Sequence, residues 1–252
     1  MSNNYQPQQY WEKRLSTNSN LRGVGCLRFG KLYNTLLYKA KSRVLNKVIS
    51  REDLEIKGKT ICDVGSGTGF FVSFYLAKGA KKIVGVDITE ESIRGLKTKY
   101  PKEVFVREDI SSTELLAKIA DKFEVINVFD ILYHIKDDNS FEKAINNLSK
   151  LLENGGKLIL TDYLGKKDLE PAPHVKFRSL AHYEDIFEKT GLQTISIYPL
   201  YWLLNRPVCT IFSEKINRSV DNLASPFYYE LDRLLVSPKR NNLNLLVAQK
   251  KI

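Results

Sequence analysis

The chain is poor in cysteine. Its three, Cys26, Cys62 and Cys209, are widely spaced and odd in number, which fits neither a disulfide framework nor a zinc-ligand pattern. A reducing compartment, the cytoplasm, is the simplest expectation. No run of about 18 apolar residues occurs, so no membrane-spanning helix is expected. The first nine residues are polar and rich in Asn and Gln, without the basic start and apolar stretch of a signal peptide. The three histidines, His134, His174 and His182, do not cluster, and no metal site is expected. There is no internal repeat and no low-complexity linker.

Positive charge, by contrast, is plentiful. The formal net charge is +10, which favours an acidic partner such as nucleic acid, a phosphorylated metabolite or an anionic membrane surface. The basic residues are dispersed, however: Lys39, Lys41, Arg43 and Lys47 in one segment, Lys81 and Lys82 in another, Lys166 with Lys167 and Lys239 with Arg240 as short pairs. Most are expected to face solvent, which disfavours a nucleic-acid site. A hydrophobic fraction of 43% suits a globular protein with a full core.

From about residue 59, short β-rich runs alternate with helical segments, the pattern of an α/β fold with a parallel sheet covered on both faces. Strands are predicted at 59–64, 82–87, 103–107, 124–129 and 157–161, then at 193–198 and 244–248. Thr89 is placed to cap a helix whose first turn holds Glu90 and Glu91. Ser111 with Glu114 reads as a capping box, Asn139 as the cap of the next helix, and Gly191 as the stop of a helix over 180–190. Residues 10–50 are helical in pattern, with Leu32, Leu36, Leu37, Val44, Leu45 and Val48 on one apolar face. A long insertion precedes the last strand, with helical stretches near 210–223 and 227–235. The organisation expected is an N-terminal helical cap over 1–50 and a ligand-binding domain over 51–252, its insertion at about 200–240. Both additions are candidates for covering a site.

Between the first strand and its helix stands Asp63-Val64-Gly65-Ser66-Gly67-Thr68-Gly69-Phe70. Glycines here permit a tight turn and close approach of a ligand to the backbone, and the helix N-terminus that follows offers unpaired N–H groups. Asp87 ends the next strand about 20 residues on, where a ribose is usually held. The dinucleotide fingerprint Gly-x-Gly-x-x-Gly is not completed, because Phe70 takes its last position. No Lys-Ser or Lys-Thr follows, which excludes a Walker-type phosphate loop. Asp63 brings a carboxylate that suits a cationic amine and repels a pyrophosphate.

Asp63-x-Gly65-x-Gly67-x-Gly69 resembles the first motif of the class I S-adenosylmethionine (SAM)-dependent methyltransferases. The likeness extends over about 59–162 through separated motifs in the right order. It implies a Rossmann-like, seven-stranded, mostly parallel sheet with an antiparallel last strand. It also implies SAM as cofactor, with Ser66 in the turn, Asp87 on the ribose hydroxyls and Ile88 on the adenine. Asp109, with Ile110 beside it, would meet the adenine amino group. Val128 and Phe129, in a segment running to His134, would lie beside the methionine part. Leu151-Leu152-Glu153-Asn154-Gly155-Gly156 resembles the family turn into the fifth strand, with Asn154 where Pro is common.

Methyl transfer to a hydroxyl needs a positioned nucleophile and removal of a proton. The residues after the fourth strand, Val128-Phe129-Asp130-Ile131, are not the Asn/Asp-Pro-Pro-Tyr of enzymes acting on adenine or glutamine nitrogen. No Pro-Cys pair offers the nucleophile used on cytosine. What remains resembles small-molecule methyltransferases of secondary metabolism and quinone biosynthesis, through Tyr10-Trp11-Glu12-Lys13-Arg14, the segment 131–135, and 174–179. His134 is the leading base candidate, since an ordinary imidazole titrates near 6.5; His174 is the second, and His182 reads as structural. Trp11 and Arg14 are placed to close over the cofactor. Tyr133, Asp162, Tyr163, Arg178 and Trp202 are candidates for the substrate side, Arg178 as the group that binds a substrate carboxylate or phosphate or, alternatively, pairs with Asp185. Aromatics concentrate in the insertion, among them Tyr198, Tyr201, Phe212, Phe227, Tyr228 and Tyr229, as would suit an apolar acceptor. The reading is O-methylation of a small molecule. Its rivals are an RNA or protein methyltransferase and a non-catalytic SAM-binding partner. The sequence does not speak to oligomeric state.

Overall fold

The structure is a computed structural model that describes residues 5–208 and 210–252; Cys209 lies outside them. In chain order, α1 (Pro7–Thr17), α2 (Leu21–Val24) and α3 (Lys31–Arg51) precede β1 (Thr60–Val64), α4 (Phe70–Ala77), β2 (Lys82–Asp87), α5 (Glu90–Lys99), β3 (Val104–Arg107), α6 (Leu115–Lys118) and β4 (Phe123–Val128). A 3-10 turn at Leu132–His134 leads to α7 (Asp138–Leu151), β5 (Leu152–Asp162), β6 (Leu169–Ala172), β7 (Val175–Phe177), α8 (Leu180–Thr190), β8 (Leu192–Tyr201), α9 (Glu214–Leu235) and β9 (Leu243–Lys250). Among the described residues, no helix is long and apolar enough to cross a membrane.

Seven strands form one sheet in the order β3-β2-β1-β4-β5-β9-β8, and β6 pairs with β7 in a separate hairpin. The pairs β1–β2, β1–β4, β2–β3 and β4–β5 are parallel, whereas β9 runs antiparallel between β5 and β8. The expected architecture is therefore present, last strand included. Chain order reverses between β1 and β4, and the crevice beyond the C-terminal ends of such strands is where open α/β sheets bind ligands.

Alternate strand residues point to opposite faces. Ile61, Val125 and Ile159 pack under α3 and α4, while Cys62, Val64 and Ile126 pack under α6, α7 and α8. The first of these clusters runs without a break across residue 50, from Phe29, Tyr33 and Val48 to Ile61 and Ile83. Cys62 is wholly buried and behaves as a small apolar residue, and its burial pushes its thiol well up.

Several local expectations are met. Thr89 accepts from Ser92 N at the start of α5, and α8 stops on Gly191 at φ +73. Others shift. Asp137, not Asn139, caps α7 by accepting from Ser140 N. The Ser111–Glu114 capping box does not form, because the Ser111 hydroxyl donates instead to Asp109. The two helical stretches of the insertion are one helix, α9, running through Pro226. Proline supplies no N–H to the carbonyl four residues back. That carbonyl, of Asn222, accepts from the Ser225 hydroxyl at 2.7 Å instead, so the helix continues.

Candidate active site

The turn after β1 is built around its glycines. Gly65 and Gly67 have φ of +71 and +52, and a Cβ on either would sit 2.0 Å from Ile131 Cδ1 or 2.7 Å from Val24 Cγ1. The turn is tied to β2 through Asp87. One carboxylate oxygen accepts from Gly67 N at 2.9 Å, the other from Thr89 N and the Thr89 hydroxyl at 2.9 and 2.7 Å. Ser66 closes the turn from below, donating to the Asp63 carbonyl at 2.7 Å. The Asp63 carboxylate accepts from Asn127 Nδ2 at 2.7 Å, and burial pushes its carboxyl up to about 7 against the opposing pull of that hydrogen bond.

Above this turn lies a cavity of about 530 Å³. Gly65, Gly67, Asp87, Ile88, Asp109, Ile110, Phe129, Asp130 and His134 line it from the sheet edge. Tyr38 closes it from α3, and Tyr5, Pro7, Trp11 and Leu15 from the N-terminal segment and α1. Asp109 is oriented by Ser111, whose N and hydroxyl donate to one carboxylate oxygen at 2.8 and 2.7 Å. The structure thus gathers Trp11, Gly65, Gly67, Asp87, Ile88, Asp109, Ile110 and Phe129 on one cavity. Asp63, Ser66, Gly69 and Val128 support it from beneath or beside the turn without lining it. Arg14 points elsewhere: it donates to the Gly25 carbonyl and to Tyr10 Oη, and its guanidinium lies 4.6 Å from the Trp11 ring.

α1 covers one side of the cavity and is fastened there. Glu12 accepts from Glu90 N at 2.8 Å and Glu91 N at 3.0 Å, so a carboxylate from α1 sits at the positive end of α5. Of the two candidate covers, only the N-terminal one reaches the cavity. No described residue of the insertion lines it.

His134 is half-buried in the 3-10 turn, edge-on to Trp11 at 4.9 Å between ring centres. Its Nδ1 lies 2.8 Å from the His174 carbonyl. A carbonyl only accepts, so Nδ1 carries the hydrogen and Nε2 is left as the acceptor. Burial pushes the imidazole down to about 4, below the ordinary range in which it was expected to titrate. His174 sits between β6 and β7 with its ring stacked 5.0 Å from Tyr10 and 5.6 Å from His134, and burial lowers it too. It does not line the cavity; its contribution to His134 is a backbone oxygen.

The expected substrate-side residues are not brought to the cavity. Arg178 is wholly buried, and its guanidinium packs 3.7 Å from the Phe141 ring centre. It donates to Asp138 at 2.9 Å and to the Ile135 carbonyl at 2.8 Å, which corrects both the anion-binding role and the Asp185 pairing. Its charge is consumed in fixing the loop behind His134. Asp162 is buried and takes the Tyr183 hydroxyl at 2.7 Å, and burial pushes its carboxyl up to about 7. Tyr133 and Tyr163 pack on Phe177, at 5.2 and 5.8 Å. Trp202 lies under Arg240, 5.8 Å from its guanidinium.

Two residues went unread in the sequence. Asp130, at the end of β4, lines the cavity with φ +60, a left-handed conformation that is strained for a non-glycine. It accepts from the Thr161 hydroxyl at 2.9 Å and is paired with Lys41 of α3. Lys41 was grouped with solvent-facing lysines. It falls between Leu37 and Val44–Leu45 on the buried stripe of α3, and that spacing was the available signal.

A family model described as a methyltransferase domain matches residues 36–197. A ubiquinone biosynthesis O-methyltransferase of Coxiella burnetii is 31% identical over 111 residues, covering 44% of this chain and 46% of that protein. The chain thus spans about half the length of this curated relative. Magnesium protoporphyrin IX methyltransferase of Synechocystis, solved with bound SAM, has the same fold at a TM-score of 0.61 and 13% identity, over 100% of both chains. The N-methyltransferase NodS of Bradyrhizobium japonicum superposes at a TM-score of 0.58 and 16% identity, over 96% and 97% of the two chains. The chain belongs to the methyltransferase-domain family, among the class I, SAM-dependent methyltransferases.

Proposed function

We propose that this protein moves a methyl group from SAM to an oxygen of a small molecule in the cytoplasm, with His134 as general base. The observation that carries this reading is that His134 shares one cavity with Gly65, Gly67, Asp87 and Asp109. The cavity suits SAM in charge as well as shape. Of the acids that line it, Glu108 and Asp130 are paired with Lys118 and Lys41, while Asp87, Asp109 and Asp137 make no ion pair among the described residues, an acidic lining that favours a cationic ligand over a pyrophosphate. When bound, SAM supplies an electrophilic methyl on a sulfonium.

Asp87 accepts the ribose hydroxyls, Asp109 the adenine amino group, and Ile88, Ile110 and Phe129 provide apolar surface. Trp11 and Leu15 exclude water from above. Nε2 of His134 takes the acceptor's proton as the oxygen is methylated. An imidazole held near 4 is neutral at physiological pH and so is ready to accept, but it is a weak base. An ordinary phenol near 10 lies far above it. Catechols and hydroquinones titrate close to phenol, so the acceptor that suits so weak a base is a more acidic hydroxyl, an enol or a phenol bearing an electron-withdrawing group. The same depressed imidazole favours a second reading, an amine acceptor, which attacks with its lone pair and needs no base.

The test is methyl transfer from isotope-labelled SAM to a panel of enols, phenols bearing electron-withdrawing groups, catechols and amines, with wild type and His134→Ala. O-methylation reduced by about 10² or more in the variant, with SAM affinity kept, is the expected result. An O-methylated product formed at wild-type rate by the variant removes His134 as base. N-methylation alone turns the reading to the amine.

A further inference from the structure

The helix α9 is mounted inside out. Its side against the body of the protein buries the polar Asn217, Asp221, Ser225 and Asp232, with only Tyr228 and Tyr229 of the helix packed against the core cluster. Asp232 accepts from the backbone N of Trp202, Leu203 and Leu204 at 3.1, 2.8 and 2.9 Å, Asp221 from Val208 N at 2.6 Å, and Asn222 from Tyr33 N at 3.0 Å. These bonds fix the helix's rotation about its own axis. The face they turn to solvent is apolar: Ile216 is 49% exposed, Leu223 80%, Phe227 64% and Leu234 82%. Val220, half-buried, falls in the same row. Their spacing of three, four or seven residues keeps them on one stripe along the helix. Just before the helix, Ile211 at 85% and Phe212 at 57% extend the patch. A surface helix ordinarily buries its apolar side, so this arrangement leaves a long row of large side chains without cover in the free chain.

The charge around the row decides what covers it. On α9, Arg218 pairs with Glu214 and Arg233 with Glu230. Lys215 is exposed at the start of the helix and Lys239 beyond its end, and neither makes an ion pair among the described residues; Arg206 and Arg240 lie toward the body, beside Tyr33 and over Trp202. The rim is therefore basic, on a chain whose net charge is +10. A second copy docking on this face would bring the same positive rim against it, and like charges repel. An anionic lipid leaflet offers both complements at once, acyl chains for the row and phosphates for the rim. Since no described helix can cross a membrane, α9 would lie on the surface and not span it.

We propose that α9 is an interfacial membrane-binding helix. Ile211, Phe212, Ile216, Leu223, Phe227 and Leu234 enter the headgroup–acyl boundary of an anionic bilayer, and the basic residues flanking them meet lipid phosphates. The proposal does not depend on which acceptor is methylated.

The experiment is co-sedimentation of the full chain with vesicles of phosphatidylcholine alone and of phosphatidylcholine with phosphatidylglycerol. Wild type is expected to pellet with the anionic vesicles and to be released by salt. The double variant Leu223→Glu/Phe227→Glu is expected to bind them about tenfold or more weakly. Both side chains are exposed, so the variant should melt with wild type and bind SAM equally, which separates lost docking from lost folding. The proposal is overturned if wild type stays in the supernatant, if both vesicle types bind it equally, or if the variant pellets like wild type. It is also overturned if wild type sediments as a dimer that the double variant dissociates, since the row would then be an interface between two copies.

Discussion

Lys41 reaches from the middle of α3 to the carboxylate of Asp130, and both side chains are largely withdrawn from solvent, with exposures of 4% and 16%. The pair clamps the helix that carries Tyr38 to the residue that turns the chain from β4 toward His134. Removing one partner strands a charge in a poorly solvated place. Lys41→Met should cost about 3 kcal/mol in urea unfolding. Adding Asp130→Asn should recover part of that loss, because the uncompensated carboxylate goes with it. Additive losses in the two variants would show that the ions are not coupled.

Asp87 carries two tasks, and a substitution should reveal both. Its carboxylate organises the glycine turn through Gly67 N and caps the entry to α5 through Thr89. It also faces the cavity. Asp87→Ala should weaken SAM binding by about 1.5–3 kcal/mol, the range of charge-assisted hydrogen bonds. Calorimetry with SAM and with NAD is the measurement, and tight NAD binding in the absence of SAM binding would reverse the cofactor assignment.

Glu12 fastens α1 over the cavity by accepting the first two N–H groups of α5. Glu12→Ala should release that end of the lid. Hydrogen exchange across Pro7–Thr17 should then quicken by about tenfold, corresponding to roughly 1.4 kcal/mol, while β1 and β4 keep their protection. Unchanged exchange would mean that Trp11 and Leu15 hold the helix without the carboxylate.

The buried Asp63 carboxyl makes stability fall with rising pH. Its folded-state value is raised to about 7, so the folded protein holds a proton that the unfolded chain releases near 4. The contribution is complete below the unfolded value and is lost as pH rises through about 7. Asp63→Asn keeps a side-chain oxygen for Asn127 but does not titrate. The melting temperature of wild type relative to Asp63→Asn should therefore decline between about pH 4 and pH 8. His134 works in the opposite sense, since its depressed imidazole costs stability as pH falls from about 6.5 to about 4, so the comparison must be made against the variant and not on wild type alone.

The strand runs, the glycine turn and the acids ending β2 and β3 were legible in the sequence. So was the site at the strand ends; the order of the strands in the sheet was not, since it depends on which distant strands pair. Each legible feature is local: alternation of short apolar runs with helices dictates a covered parallel sheet, and a parallel sheet carries its site at the C-terminal strand ends. Helix caps were legible only to within two residues, as Asp137 and Asn139 show, because several Asx and Ser side chains compete for the same N–H groups. The partners of charged residues were not legible at all. Arg178 looked like an anion receptor and is a buried brace on Asp138; Lys41 looked solvated and is a buried partner of Asp130. His134 kept its place on the cavity but not its ordinary basicity, and the insertion proved to lie away from the site it was expected to cover. Sequence by itself determined the fold class and the cofactor turn, because backbone geometry and periodicity are properties of neighbouring residues. Tertiary structure alone decided which charges are paired, which carboxyls are desolvated and which face of α9 meets water, because each depends on groups brought together from distant parts of the chain.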